Sequence, residues 1–271
     1  MKKTLIYMAA VAAMAACTRP SAEAPRMIEW SFEAAVTKAS IASDGAFSWD
    51  KGDEIVVWNS TSSAFVNFKT PAGSGKFTAT APSDAHFTDC ALYPAAQVVS
   101  ATSVSLPASY ADAAGAGRAF PMYAKVEEGS KLLTFKNLGA LLSVPMVYLP
   151  AESATLEISS SSSALSGNFA ISGGEIPAIS GSGSVRVPIP TGRLYFTALI
   201  PIPTGSYPLT IKVLDSSDAS IFELVGTEPI SFERAKLYKL EQIEADTSSA
   251  SLIAVTGVES LEPSDDSTNW E

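Results

Sequence analysis

Tyr207-Pro208-Leu209-Thr210-Ile211-Lys212-Val213 alternates strictly: its odd-numbered positions are apolar, and Thr210 and Lys212 face the other way. A period of two marks a strand with one buried face, because successive side chains leave the pleat on opposite sides. A helix would need apolar residues three and four apart. No amphipathic stretch of three helical turns occurs in the chain. The nearest is the alanine-rich Tyr110–Gly115, short enough to be one turn in a loop.

Outward from that segment, short runs rich in Val, Ile, Phe, Tyr and Thr are broken by Gly, Pro, Ser and Asp. A first set comprises Ile28–Val36, Glu54–Trp58, Ala64–Phe68, Lys76–Thr80, His86–Tyr93, Ser103–Leu106 and Pro121–Val126. Glu127-Glu128-Gly129-Ser130 interrupts the pattern, and Leu132–Lys136 opens a second set that ends at Leu237–Leu240. Strand-sized runs at regular spacing with turn signals predict an all-β chain of β-sandwich architecture. Each set spans about 100 to 115 residues, a common domain size. The expected organisation is two tandem β-sandwich domains, 27–128 and 129–243, with a single larger sandwich as the alternative. Ser159–Ser163, Gly173-Gly174 and Gly181-Ser182-Gly183 read as loops.

Residues 244–271 form an acidic tail that nevertheless contains Ser251-Leu252-Ile253-Ala254-Val255-Thr256-Gly257-Val258. Two readings stand: an extended peptide that seeks a sheet edge, or a disordered acidic tail with a chance apolar patch. Composition alone slightly favours the second.

At the other end, Lys2 and Lys3 precede an uncharged run of 13 residues, Thr4–Ala16. That is short of the roughly 20 residues a spanning helix needs. Met14-Ala15-Ala16-Cys17 looks like the lipobox of a bacterial lipoprotein signal. On this reading 1–16 is a signal peptide, Cys17 is the lipidated first residue and 17–26 is a tether. Acyl chains, at about 0.8 kcal/mol per buried methylene, would hold the protein to a membrane. The alternative is an ordinary cleaved secretory signal that happens to contain a cysteine.

The chain carries 18 basic and 28 acidic residues, a net charge of −10. Eight of the acidic residues lie from Glu241 onward with no Lys or Arg among them, so the body is close to balanced. No basic face large enough for nucleic acid is visible, which excludes that class of partner. Of the two cysteines, lipidation of Cys17 would leave Cys90 alone, so no disulfide framework forms. Cys90 lies in the strand-like Phe87–Tyr93 and reads as a packed core thiol.

Catalytic chemistry finds little purchase. His86 is the single histidine and stands four residues before Cys90. On a strand that puts them about 13 Å apart, too far for a Cys–His pair. No Gly-x-Ser-x-Gly elbow accompanies the histidine. Gly73-Ser74-Gly75-Lys76 resembles the end of a phosphate loop, but Thr70 stands at the earlier glycine position and Phe77 at the metal-binding hydroxyl. It reads as a hairpin turn. Asp50, Asp53 and Glu54 lack the alternating ligand spacing of a calcium loop, and Asp-x-Gly-Asp makes a tight turn. No catalytic residue, metal or cofactor is expected. Trp30, Trp49, Trp58 and Trp270 could in principle stack on sugars, but three of them lie within or beside proposed strands, where core packing is the default. A surface glycan-binding lipoprotein is therefore the alternative function, favoured by exposure of Trp49 and Trp58 and undercut by their burial.

Phe47-Ser48-Trp49-Asp50-Lys51-Gly52-Asp53-Glu54-Ile55-Val56-Val57-Trp58 resembles the fimbrillin family, the subunits of type V pili, in its aromatic, Trp-x-x-Gly-Asp and apolar strand. Lys76-Phe77-Thr78-Ala79, Ala91-Leu92-Tyr93-Pro94-Ala95 and Pro121-Met122-Tyr123-Ala124 follow in the family's order, the last like the closing strand of its first domain. Leu133-Thr134-Phe135-Lys136-Asn137-Leu138-Gly139-Ala140-Leu141-Leu142 looks like the opening of its second.

The resemblance spans roughly residues 30 to 240. It implies two transthyretin-like sandwiches and a lipoprotein precursor at the outer membrane and cell surface, passing to the fimbrium after processing. Its partners would be other pilus subunits joined by strand exchange, with an adhesion role toward a host or glycan ligand. The removable first strand would be Ile28–Val36, cut near Thr37-Lys38-Ala39, and the donor strand Leu252–Val258, with Leu252, Val255 and Val258 as its apolar residues. Lys38 stands where the family's processing protease would want an arginine. Arg26 precedes the strand, and cutting there would release the lipid without opening the groove. A chain that keeps Cys17 would be an anchor. One that loses it together with the first strand would be a building block.

Overall fold

The structure, a computed structural model, describes residues 25–36, 48–245 and 253–262. The first half begins with β1 (Met27–Val36), β2 (Glu54–Asn59), β3 (Ala64–Lys69), β4 (Lys76–Pro82) and β5 (Phe87–Tyr93). Short strands β6 (Val98–Ser100) and β7 (Ser103–Leu106) precede a six-residue helix, α1 (Ala113–Arg118). Then come β8 (Met122–Val126) and β9 (Leu132–Asn137). The second half opens with β10 (Ala140–Val147), β11 (Thr155–Ser159), β12 (Gly167–Ala170), β13 (Val185–Pro188) and β14 (Tyr195–Ile202). It continues through β15 (Gly205–Tyr207), β16 (Thr210–Leu214), β17 (Ser220–Val225) and β18 (Ile230–Phe232). It ends with β19 (Lys236–Leu240), β20 (Ile243–Glu244) and β21 (Val255–Ser260). The described chain is all-β.

The alternation along Tyr207–Val213 has its expected cause. Tyr207, Leu209, Ile211 and Val213 are each 0% exposed. Lys212, on the other face, reaches Glu223 across to β17 at 3.1 Å. Two sheets, β14-β10-β19-β21 and β13-β11-β16-β17, enclose that core, with Leu142 and Val144 of one sheet and Leu156 and Ile158 of the other in one cluster. This is sheet-on-sheet packing, with inner-face residues interdigitating.

The first sheet closes on itself in the order β1-β4-β3-β2-β5-β8-β9. Its interior is aromatic: Phe32, Trp49, Phe68, Phe77, Phe87, Tyr93 and Phe135 form one buried cluster. β9 differs from its sequence assignment. Expected to open the second set, it pairs antiparallel with β8 and parallel with β1. The reason is that Leu133 and Phe135, both 0% exposed, fill the first core.

The two halves interlock. β7, expected in the first set, pairs with β12 of the second, and Val104, Leu106, Leu138, Phe169 and Ile176 pack together between them. The helix also lies three residues later than its composition suggested. Its start is set by Asp112, whose Oδ1 accepts the Gly115 N–H at 2.6 Å. Tyr110 and Ala116 bury themselves in the second core.

Candidate functional site: the first strand and the C-terminal strand

β1 has a partner on each side. Met27 to Glu33 run antiparallel to β4, from Met27↔Pro82 to Glu33↔Lys76. Glu33 to Val36 run parallel to β9, from Glu33↔Leu132 to Val36↔Phe135. This one strand therefore joins the two ends of the first sheet. Without it, β4 and β9 would each present a row of unpaired N–H and C=O groups.

Its side chains alternate as a plug. Glu29 and Glu33 are exposed, whereas Phe32 is 2% exposed and Trp30 and Ala34 pack against the same core. Trp30 faces Ala79 across the ladder, large opposite small, and its indole N–H donates to the Pro82 carbonyl at 3.1 Å. Phe32 meets Phe68 and Phe87 edge-on, with centroids 5.2 and 5.7 Å away. The Lys131 ammonium sits 4.3 Å from the Trp30 ring centre and 5.3 Å from that of Phe32. A cavity of about 250 Å³ runs alongside, lined by Trp30, Phe32, Phe87, His86, Glu128 and Lys131 among others.

The end of β1 is covered by two turns. Asp50 and Asp53 make the tight turn the sequence indicated. The Asp53 N–H donates to the Asp50 carbonyl at 3.1 Å, and Gly52 sits at φ +92°. Burial pushes the Asp53 carboxyl above its ordinary value, and burial likewise raises the Tyr93 phenol. Trp49, at the head of this turn, is buried edge-on to Phe77, Tyr93 and Phe135. Its indole N–H donates to the Ala34 carbonyl at 3.3 Å. The loop between β3 and β4 closes from the other side, where the Gly75 carbonyl accepts the Ala34 N–H at 2.8 Å. Gly73 must be glycine: its φ is +65°, and a Cβ there would stand 2.7 Å from the Trp49 carbonyl oxygen.

Trp58 is half-buried against Phe65, with centroids 5.2 Å apart. With Trp49 inside the core, the exposed aromatic row that sugar stacking needs does not form from these two residues. Glycan binding loses its main support.

Cys17, Lys38 and Leu252 lie outside the described residues. Arg26 is exposed immediately before β1, and its carbonyl accepts the Ser83 N–H at 2.7 Å. Val255 and Val258 lie in β21, an edge strand of its sheet, which pairs antiparallel with β19 from Lys236↔Ser260 to Leu240↔Val255. Val255 packs against the second core beside Ile253, whereas Val258 is 53% exposed. A spacing of three cannot keep two side chains on one face of a strand.

Residues 253–262 are thus ordered, against the tail that composition favoured. Leu261 is 3% exposed. The Glu262 carboxylate, its side chain 5% exposed, accepts the Asn137 N–H at 2.7 Å and Arg234 Nη1–H at 2.7 and 2.8 Å. Arg234 Nη1–H also donates to the Asn137 carbonyl at 3.0 Å. The sequence reading missed this contact. Partners 28 and 125 residues apart leave no local pattern.

Catalytic arrangements are weak by comparison. Ser60 Oγ lies 3.1 Å from His86 Nδ1, and Glu128 Oε1 lies 3.4 Å from Nε2. The Ser60 hydroxyl also lies 3.0 Å from the His86 carbonyl, so a backbone oxygen competes with Nδ1 for its proton. Glu128 is 84% exposed and solvated. Cys90 is 3% exposed, and burial pushes its thiol up to about 11, so at neutral pH it is a protonated core residue. Among the described residues no group of His, Cys, Asp and Glu is arranged to hold a metal ion.

No protein-family model matches the chain, and no curated protein does. Solved structures do. A candidate cell adhesion protein of Bacteroides ovatus aligns over 88% of this chain and 98% of its own, with a TM-score of 0.58 at 15% identity. That likeness is one of fold. A candidate cell adhesion protein of Bacteroides uniformis covers 86% and 98% at 17% identity, with a TM-score of 0.48. A tip fimbrial protein of Porphyromonas gingivalis with a C-terminal truncation covers 87% and 100% at 11% identity, with a TM-score of 0.42.

Proposed function

We propose that this chain is a fimbrillin-like cell-surface protein, a structural or anchoring subunit of a pilus assembled by strand exchange between copies. The observation that carries the reading is β1, one strand whose loss would open the first sheet along both β4 and β9. The likeness in fold to a candidate adhesion protein supports it.

Loss of β1 would leave a groove with two free ladders and vacated positions for Trp30, Phe32 and Ala34. An extended segment with alternating apolar residues fits such a groove by β-addition. Ile253 and Val255 of a second copy supply that alternation. Cys17 carries the lipid that ties the chain to the outer membrane, and processing near Lys38 decides which role a molecule takes. The chain that keeps Cys17 anchors; the chain that loses it with β1 polymerises. The closed first sheet and the packed pair of sheets in the second half supply the body that carries β1 and β21.

The test is to introduce a site-specific protease sequence between Val36 and Ser48, cut the full chain, and follow its mass by sedimentation velocity. Cut chain should self-associate into a ladder, and Val255→Asp should suppress it. Chain that stays monomeric after β1 has departed rules out strand exchange. Mass spectrometry of the mature protein from cells separates the roles: a lipidated Cys17 marks an anchor, a new N-terminus near Ala39 a building block.

A further inference from the structure

We propose that Glu262 is a latch coupling the two ends of the chain: while β1 holds β9 in the closed sheet, the latch keeps β21 parked, and loss of β1 loosens it. This rests on the reading of β21 as a donor. Three observations support it.

The first concerns the face of the strand. Ile253 and Val255 pack on the second core and Leu261 is buried. A donor strand presents one alternating face to a groove. The same face cannot fill both places, so parked and donating states exclude each other.

The second is what holds the parked state. β21 is paired on one side only, Gly257 offers no side chain, and Val258 points to solvent. The Lys239–Glu259 contact at 2.6 Å lies between exposed groups and adds little. The buried end is different in kind. The Glu262 carboxylate receives its hydrogen bonds from a backbone N–H and a guanidinium, which are charge-assisted and strong out of water.

The third is the position of the latch. Its backbone donor, Asn137, is the last residue of β9, two residues past Phe135, which pairs with Val36 at the end of β1. The strand that borders the β1 groove is the strand that holds the tail. Freeing that edge of β9 removes its neighbour within two residues of the Asn137 N–H. The device would keep the donor strand docked until the acceptor groove of the same molecule is open.

The test uses hydrogen exchange on the intact chain, reading the Val255–Ser260 amides with β10 and β14 as internal controls. Phe32→Ala loosens β1. It should speed exchange in β21 at least about tenfold while β10 and β14 hold their rates. Glu262→Gln and Leu261→Ala should each speed β21 alone, and either one combined with Phe32→Ala should fall short of the product of the separate effects. Should Phe32→Ala also speed β10, Phe32→Leu takes its place. Faster exchange in β1 with none in β21 overturns the coupling and leaves the strand-exchange reading standing. Coupled exchange in a chain that never associates after cutting overturns the donor reading and, with it, the latch as a control on donation.

Discussion

β1 and β21 are both terminal strands of the described fold, and they are held in opposite ways. β1 sits between two neighbours and drives Trp30 and Phe32 into an aromatic core. β21 has one neighbour and an exposed outer face; its apolar seats are few, Ile253 and Val255 at one end and Leu261 at the other, where the Glu262 carboxylate makes a buried ionic contact. Hydrophobic insertion is non-directional and spread along a strand. A buried carboxylate is local and depends on its partners being in place. A strand held in the first way is hard to remove and leaves a shaped vacancy. One held in the second way loses a local anchor when its contact fails, while its ladder and its few apolar seats remain.

The largest test of that contrast is Phe32→Ala. A fully buried phenylalanine truncated to alanine should cost about 3–5 kcal/mol in urea unfolding. A loss below about 1 kcal/mol would mean that β1 rests on the core without belonging to it. Next comes Glu262→Ala, expected to cost about 3 kcal/mol because it leaves a mostly buried guanidinium without its carboxylate. If the loss is instead that of a surface pair, the latch is not what holds the tail. Val258→Ser, on the same strand but facing solvent, should change stability by less than about 0.5 kcal/mol. A larger effect would show a second contact for that face.

The smallest effect is a pH dependence in the turn that covers β1. Burial raises the Asp53 carboxyl above its ordinary value of 3.8. The folded protein therefore holds that proton more tightly than the unfolded chain does. The stabilisation is complete below about 3.8 and is lost as pH rises through the higher folded value. Asp53→Asn should flatten this part of the unfolding free energy measured against pH. An unchanged slope would mean the turn is more open to water than its hydrogen bonds indicate.

Strand existence was legible in the sequence wherever one face is buried, as in β16, and the turns at Asp50–Asp53 and Gly73–Gly75 announced themselves through glycine and aspartate. Allocation of strands to sheets was not. β9 carries Leu133 and Phe135 at the right period for either half, and only its pairing with β1 and β8 decides. β7 and α1 were likewise assigned by chain order, which says nothing about the core that Val104 or Ala116 enters. Composition misleads at the tail because it averages over a window. Ten ordered residues among acidic ones are saved by a sheet edge and one arginine. Both lie far away in the chain.

By itself, then, the sequence determined the all-β class, the turn chemistry, the absence of a disulfide framework if Cys17 is lipidated, and the burial of Cys90. These follow from local rules: the period of the pleat, the backbone freedom of glycine and the count of cysteines. Tertiary structure alone decided that β1 is clasped on both sides, that Trp49 is core and unavailable to a sugar, and that Glu262 meets Arg234 beside Asn137. Each depends on contacts between residues distant in sequence. Closing those distances is work done by the packed core as a whole.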